Sequence, residues 1–166
     1  RARDYKQIGK YEDAISDLKQ SIEIFQHSLS DDRDLAMTYY VYGQALTAIG
    51  NHLEALSYFT LALEIEKKYP DSADHNNAVA EIINMMGVIY AELGNIIEAE
   101  KYVLKSLNIL SKIYEEDHLM LASRYNSLGA IYINLKDYEK AERYLIKSVE
   151  IRTKTQGIDH YQTIGS

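Results

Sequence analysis

The sequence predicts an all-α solenoid of antiparallel helix pairs, and three observations predict it. The first is a repeat. The segment Gly43 to Ala55 returns as Gly87 to Ala99 and again as Gly129 to Ala141. Self-similarity at a fixed period marks units that bury their apolar faces by stacking on one another. The second is helical spacing. Ala99, Tyr102, Val103, Ser106, Leu107 and Leu110 form an i, i+3, i+4, i+7 stripe. Strand alternation is missing over any useful length, and Pro70 is the single proline of 166 residues, as helix interiors require. The third is punctuation. Gly50-Asn51 and Gly94-Asn95 fall between helices, where Gly takes a left-handed C-terminal conformation at little cost. Lys136-Asp137 fills that place in the next copy, with Asp137 as the N-cap.

These marks place the elements in order. The first helix of each pair (A) runs over about 34–49, 76–93 and 118–135. The second (B) runs over about 10–28, 51–69, 95–113 and 137–155. A shortened first A helix covers about 1–8, ending at Gly9, and a further one begins near His160. Asp32-Arg33, Asp74-His75, Asp117-His118 and Asp159-His160 recur before A helices, where Asp caps exposed amides and favours the positive helix end. The whole of 1–166 reads as one domain: a partial repeat (1–30), repeats at 31–72, 73–115 and 116–157, and the start of another at 158–166. It reads as a piece of a longer protein.

Gly43, Gly87 and Gly129 sit mid-helix, where each costs about 1 kcal/mol relative to Ala. Close approach of helix B to helix A is the reason at one shared register, with Ala55, Ala99 and Ala141 twelve residues later. The tyrosines Tyr39, Tyr42, Tyr90, Tyr125 and Tyr132 read as core, whereas Tyr40 is placed toward the open face.

These residues resemble tetratricopeptide repeats. The pattern is carried by Tyr39, Tyr42-Gly43, Leu46, Ala55, Phe59 and Ala62; by Ile83, Met86-Gly87, Tyr90, Ala99, Val103 and Ser106; and by Tyr125, Leu128-Gly129, Tyr132, Ala141, Leu145 and Ser148. A partial copy holds Gly9, Ala14, Leu18 and Ser21. The family's period is about 34 residues, but Ala55, Ala99 and Ala141 are 44 and 42 apart, about one added turn per helix. Long repeats with Asp117-His118 before the A helix and Asn126-Ser127-Leu128 within it are similar to the kinesin light chain type, without its Pro after His. Similar long repeats occur in bacterial peptide-sensing regulators.

The resemblance implies a right-handed superhelical solenoid of about three full repeats with partial repeats at both ends. It also implies a concave groove lined by A helices that binds a peptide or protein partner. Its inward positions fall on Met37, Tyr40, Val41, Gln44, Thr47 and Ala48; on Glu81, Asn84, Met85, Val88, Ala91 and Glu92; and on Ser123, Asn126, Ser127, Ala130, Ile133 and Asn134. Of these, Tyr40, Gln44, Glu81, Asn84, Met85, Val88, Glu92, Ser123, Asn126, Ser127, Ala130 and Asn134 are the candidate binding residues. An Asn amide offers both a donor and an acceptor, the complement of a peptide unit. Asn84 and Asn126, at one repeat position, therefore read as a backbone clamp, with solvated or capping asparagines as the alternative. Arg124 is the single base of the three A helices, so a basic grip on a C-terminal carboxylate is not expected. The expected partner is a neutral or basic, partly apolar peptide.

Other function classes find little support. A net charge of −7 argues against nucleic acid, which needs clustered Lys and Arg. No apolar run approaches the roughly 20 residues needed to span a bilayer. There is no Cys, and His27, His52, His75, His118 and His160 share no short ligand spacing, so no metal or cofactor is expected. Asp31-Asp32-Arg33-Asp34 lacks the ligand number and Gly of a calcium loop. No phosphate-binding loop or nucleophile elbow occurs, so the chain reads as a non-enzymatic, cytoplasmic adaptor. The alternatives are a sensory segment of a larger signalling enzyme or transcription regulator, and self-association through uncapped solenoid ends.

Overall fold

A computed structural model describes the backbone of residues 2–27, 32–69 and 73–164, and the side chains of 11–26, 32–69 and 74–155. Among the described residues there are seven helices and no strand: α1 (Ala2–His27), α2 (Asp32–Ala48), α3 (His52–Glu66), α4 (Ala73–Glu92), α5 (Ile96–Leu110), α6 (Leu119–Asn134) and α7 (Tyr138–Ile164). Helices α2 and α3, α4 and α5, and α6 and α7 pack as three antiparallel pairs. Successive pairs meet through α3 on α4 and α5 on α6, and α1 packs on α2. The A helices α2, α4 and α6 approach one another only lightly, so one face of the stack is a row of A helices with gaps between them.

Each pair closes at its glycine. A Cβ on Gly43 would stand 2.8 Å from the Phe59 ring, one on Gly87 2.8 Å from Val103, and one on Gly129 2.6 Å from Leu145. The partner is therefore the bulky side chain sixteen residues on. The Ala99 and Ala141 carbonyls also lie close, at 3.2 and 3.5 Å. Phe59, Val103, Ala55 and Ala99 are fully buried, and each large apolar side chain so buried contributes about 1.5–3 kcal/mol. Tyr58, Tyr102 and Tyr144 recur at one B-helix position and pack on the A-helix rings of Tyr42, Tyr90 and Tyr132 at centroid distances of 4.5, 5.1 and 5.5 Å. Of the five tyrosines read as core, Tyr39, Tyr42, Tyr125 and Tyr132 are buried and Tyr90 packs half-buried against the core.

The A-to-B turn is built the same way three times. Gly50, Gly94 and Lys136 take positive φ of 81, 78 and 59°. The next residue's amide reaches back to Leu46, Tyr90 or Tyr132 at 2.8–3.0 Å, the Schellman arrangement. Asn95 and Asp137 accept from the amides of Glu98 and Lys140 and so cap α5 and α7. Asn51 makes no such bond, its amide donating to Glu54.

Three expectations are corrected. Helix α1 runs unbroken through Gly9, where the sequence reading placed the end of a short A helix. Gly9 shares the register of Gly50 and Gly94 but remains helical. An interior Gly costs only about 1 kcal/mol, less than losing the hydrogen bonds of a turn, and Lys10 replaces the capping Asn. Helix α7 likewise continues through Asp159-His160, so no A helix starts there. Third, the cap of α6 is His118, whose Nδ1 accepts from the Met120 amide at 3.2 Å. Asp117 instead pairs with Lys154. The His118 ring is held by stacking on Tyr114, with centroids 3.8 Å apart. Pro70, Asp31 and the side chains of His27, Asp159 and His160 lie outside the described residues.

Candidate functional site

The candidate residues fall on the open sides of α2, α4 and α6, and the structure gathers them in two places. In the first part and middle of the A helices, two polar groups lie on the open face. The Gln44 amide donates to the Tyr40 hydroxyl at 2.8 Å. Burial first, then the nearby Glu81 charge, pushes the Tyr40 hydroxyl above the usual phenol range, with Arg124 opposing. Arg124 is only 2% exposed. Its guanidinium donates to Glu81 Oε1 at 2.6 Å, to Ser123 Oγ at 2.7 Å and, through Nε, to Ser106 Oγ at 3.0 Å. Ser106 in turn donates to the Ala80 carbonyl at 2.6 Å. A buried guanidinium is stable only when paired and hydrogen-bonded, and here three neighbours supply the acceptors. Glu81, read from the sequence as an acid open to a ligand, is thus tied to Arg124.

Toward the other end of the A helices, Val88, Ala91 and Glu92 of α4 face Asn126, Ser127, Ala130 and Asn134 of α6 across a cavity of about 320 Å³. Val103 and Ile131 form its floor. Six candidate residues therefore share one hollow. Tyr40 and Glu81 instead line a smaller apolar cavity of about 110 Å³ between α2 and α4, with Ala36, Met37, Ala78 and Ile82. Ser123 is held by Arg124, Ser127 donates to the Ser123 carbonyl at 3.2 Å, and Met85 packs half-buried on the core.

The two asparagines of the expected clamp differ. Asn84 is 8% exposed, and its Oδ1 meets no donor among the described residues. Asn126 is exposed at the rim of the larger cavity. Neighbours at equivalent positions explain this. In the register of Asn84 stand Phe59, Met85 and Val88; the equivalent positions one repeat later hold Val103, Ser127 and Ala130, which share their cavity with Asn126. Larger side chains occupy the first place, where the Phe59 and Tyr40 rings lie 5.8 Å apart, and small ones leave the second open. The converse holds for the smaller cavity. Ala78 and Ile82 border it, whereas Met120 and the buried Arg124 take the equivalent positions one repeat later.

The acidic group left accessible in the larger cavity is Glu92, whose side chain is 46% exposed and whose Oε2 lies 3.4 Å from His52 Nδ1. Among the described residues no Lys or Arg lines this cavity. Among the described residues no three His, Asp or Glu come together as a metal-holding group, and no helix is long and apolar enough to cross a membrane. Sequence reasoning missed Val103, Ile131 and His52 as parts of the site. It also missed the structural part of Arg124, although its register matches buried Ile82 and Thr38.

Comparison with known proteins agrees with this architecture. BtubC (BKLC) from P. vanneervenii superposes with a TM-score of 0.76 at 24% identity, over 90% of this chain and 58% of that one. The chain thus spans somewhat more than half of BtubC's length. A protein of Podosopora anserina described as a kinesin light chain with nearly identical TPR-like repeats superposes at 0.72, with 20% identity over 93% of this chain and 73% of the other. The apo form of RapI gives 0.67 at 21% identity, over 94% and 40%. These likenesses concern the fold. No curated protein sequence matches the chain. The family pattern described as tetratricopeptide repeat matches residues 1–68 and 78–154, and with three helix pairs closed at equivalent glycines the chain belongs to the tetratricopeptide repeat family.

Proposed function

We propose that the open face of α2, α4 and α6 holds a segment of a partner protein, gripped chiefly between α4 and α6. The observation that supports this is the cavity of about 320 Å³ lined by apolar walls and rimmed by Asn126, Asn134 and Glu92. Concave apolar hollows with a few convergent polar groups are where ligands bind, and stacked repeats present them in series. Asn126 supplies the backbone-matching amide, while Asn84 is too covered to share the task. With Glu81 paired to Arg124, the preference for neutral or basic segments rests on Glu92. Selection from a random dodecapeptide phage library, followed by rebinding to Asn126→Arg, tests the reading. Selected peptides are expected to lose most binding to the variant; undiminished rebinding moves the partner surface elsewhere.

A second reading, self-association, has its own observation. Val149 of α7 is 60% exposed, although Leu63 at the equivalent position is 9% exposed. A second copy stacking on this face would bury it. Light scattering across concentration tests this, and a constant monomer mass refutes it.

A further inference from the structure

Resting on the groove reading above, we infer that the cavity between α4 and α6 anchors a bulky apolar side chain that has a Lys or Arg as its immediate neighbour in the partner peptide. Three features of the cavity carry this.

The first is the material of its walls. Val88, Ala91, Val103, Ala130 and Ile131 present no side-chain hydrogen-bonding group, and the Ser127 hydroxyl already donates to the Ser123 carbonyl. A polar tip buried among them would lose its hydration without replacement, so the inserted group is apolar. The volume, about 320 Å³, is at the low end of the roughly 300–1,000 Å³ of ligand pockets. It suits one large side chain better than a multi-ring small molecule.

The second is the charge at one end. Glu92 is the last residue of α4 and Asn134 the last of α6, so two helix C-termini converge on this rim. Each carries about half a negative charge, and the exposed Glu92 carboxylate adds to them. Among the described residues no Lys or Arg lines the cavity to offset this, and the base beside the carboxylate is the His52 imidazole, 3.4 Å away. A cation beside the anchor is therefore attracted, and a carboxylate is repelled.

The third is a pair of amides. Asn126 and Asn134 are eight residues apart on one helix face, about 12 Å at 1.5 Å per residue. That distance spans three or four residues of extended chain at about 3.3 Å each. The amides bracket a short stretch of main chain with the anchor between them.

The test uses fluorescein-labelled dodecapeptide pools with Gly/Ser-rich flanks and a fixed centre of Phe-Lys, Phe-Glu or Ala-Lys, read by fluorescence polarisation. The Phe-Lys pool is expected to bind about 10-fold or more tightly than the Ala-Lys pool, and more tightly than the Phe-Glu pool. Ser127→Met/Ala130→Val gives α6 the residues that fill the equivalent place at Met85 and Val88. It is expected to bring Phe-Lys binding down to the Ala-Lys level with unchanged circular dichroism. Glu92→Gln is expected to remove only the preference for Lys over Glu. A Phe-Lys pool that does not bind, or that binds equally to both variants, overturns the inference. If phage-selected peptides still fail on Asn126→Arg in that event, the groove reading stands without the anchor; if they do not, both readings fall together.

Discussion

The junction between α2 and α4 and the junction between α4 and α6 share one helical frame but are filled at opposite ends. In the first, Asn84 is buried and the bulkier Phe59, Met85 and Val88 hold the register of Val103, Ser127 and Ala130, while the near half keeps a cavity of about 110 Å³ beside Ala78 and Ile82. In the second, Arg124 fills the near half and is satisfied by Glu81, Ser123 and Ser106, while Val103, Ser127 and Ala130 leave about 320 Å³ open in the far half. The difference shows how a repeat protein varies a binding surface without disturbing its scaffold. The intra-pair contacts are fixed by Gly and its bulky partner, and the inter-repeat positions are free to exchange size for polarity.

The largest way to break this comparison is at Arg124. Removing one partner of a buried ion pair strands the others, at a cost of about 3 kcal/mol, the low end of the usual range because Glu81 is partly exposed. Arg124→Ala is expected to lower stability by that amount in urea unfolding. Glu81→Met/Arg124→Ile installs the pair found at Met37 and Ile82, and replacing a buried ion pair by apolar groups is often neutral. The double variant is therefore expected within about 1 kcal/mol of wild type. A double variant as unstable as Arg124→Ala would show that the two junctions are not interchangeable.

Next in size is a change that both junctions share. Gly87→Leu forces a side chain onto Val103, whose Cγ2 lies 2.8 Å from the Cβ position. The expected cost is about 1–3 kcal/mol, with Gly43→Leu costing a similar amount against the Phe59 ring. A shift of the urea midpoint in one variant and not the other would mean that pair closure differs between repeats after all.

What the sequence made legible follows the same division. Gly43, Gly87 and Gly129, the turns at Gly50-Asn51, Gly94-Asn95 and Lys136-Asp137, and the tyrosine core are contacts within twenty residues, repeated from copy to copy, so a single alignment of the copies exposes them. The site required pairing of α4 with α6, residues about forty apart, and there the copies differ instead of repeating. Glu81 read as open because its partner Arg124 lies 43 positions away. The sequence reading counts Arg124 only as the single base of the A helices and gives it no place in the core, although Ile82 and Thr38 at the same register are buried. The helix breaks expected at Gly9 and Asp159 failed for another reason: one glycine or aspartate does not by itself end a helix, and after Gly9 Lys10 stands where the other turns have Asn or Asp.

A smaller effect separates two serines at one repeat position. Ser106 and Ser148 both donate to a carbonyl of the preceding A helix, Ala80 at 2.6 Å and Ala122 at 2.7 Å. Only Ser106 also accepts from Arg124. Ser148→Ala is expected to cost about 1 kcal/mol, one ordinary hydrogen bond. Ser106→Ala is expected to cost about twice that, because a charged donor loses its acceptor. Ala62 fills this position in the first repeat, so the methyl side chain itself is compatible with the frame. Equal thermal shifts for the two variants would remove Ser106 from the Arg124 network.

The smallest effect lies in the loop that joins α5 to α6. Lys147 beside Glu116 and Lys154 beside Asp117 hold both carboxyls below their ordinary values of 4.5 and 3.8, chiefly through the side-chain hydrogen bonds. A carboxyl depressed in the folded state contributes stability that is fully present above the unfolded value and is lost as pH falls through the folded one. The contribution should therefore fade as pH drops below about 4.5, the ordinary value of Glu116. Because these groups are solvent-exposed, salt should screen most of it. Lys147→Met/Lys154→Met is expected to lose this small contribution near pH 7 in dilute buffer and to converge with wild type once both carboxyls are protonated, so that its acid limb is flatter. In 1 M NaCl the variant and wild-type limbs should coincide. A difference that survives high salt would mean that these pairs brace the α5–α6 junction itself, and the second junction would then be held at its loop as well as by Arg124.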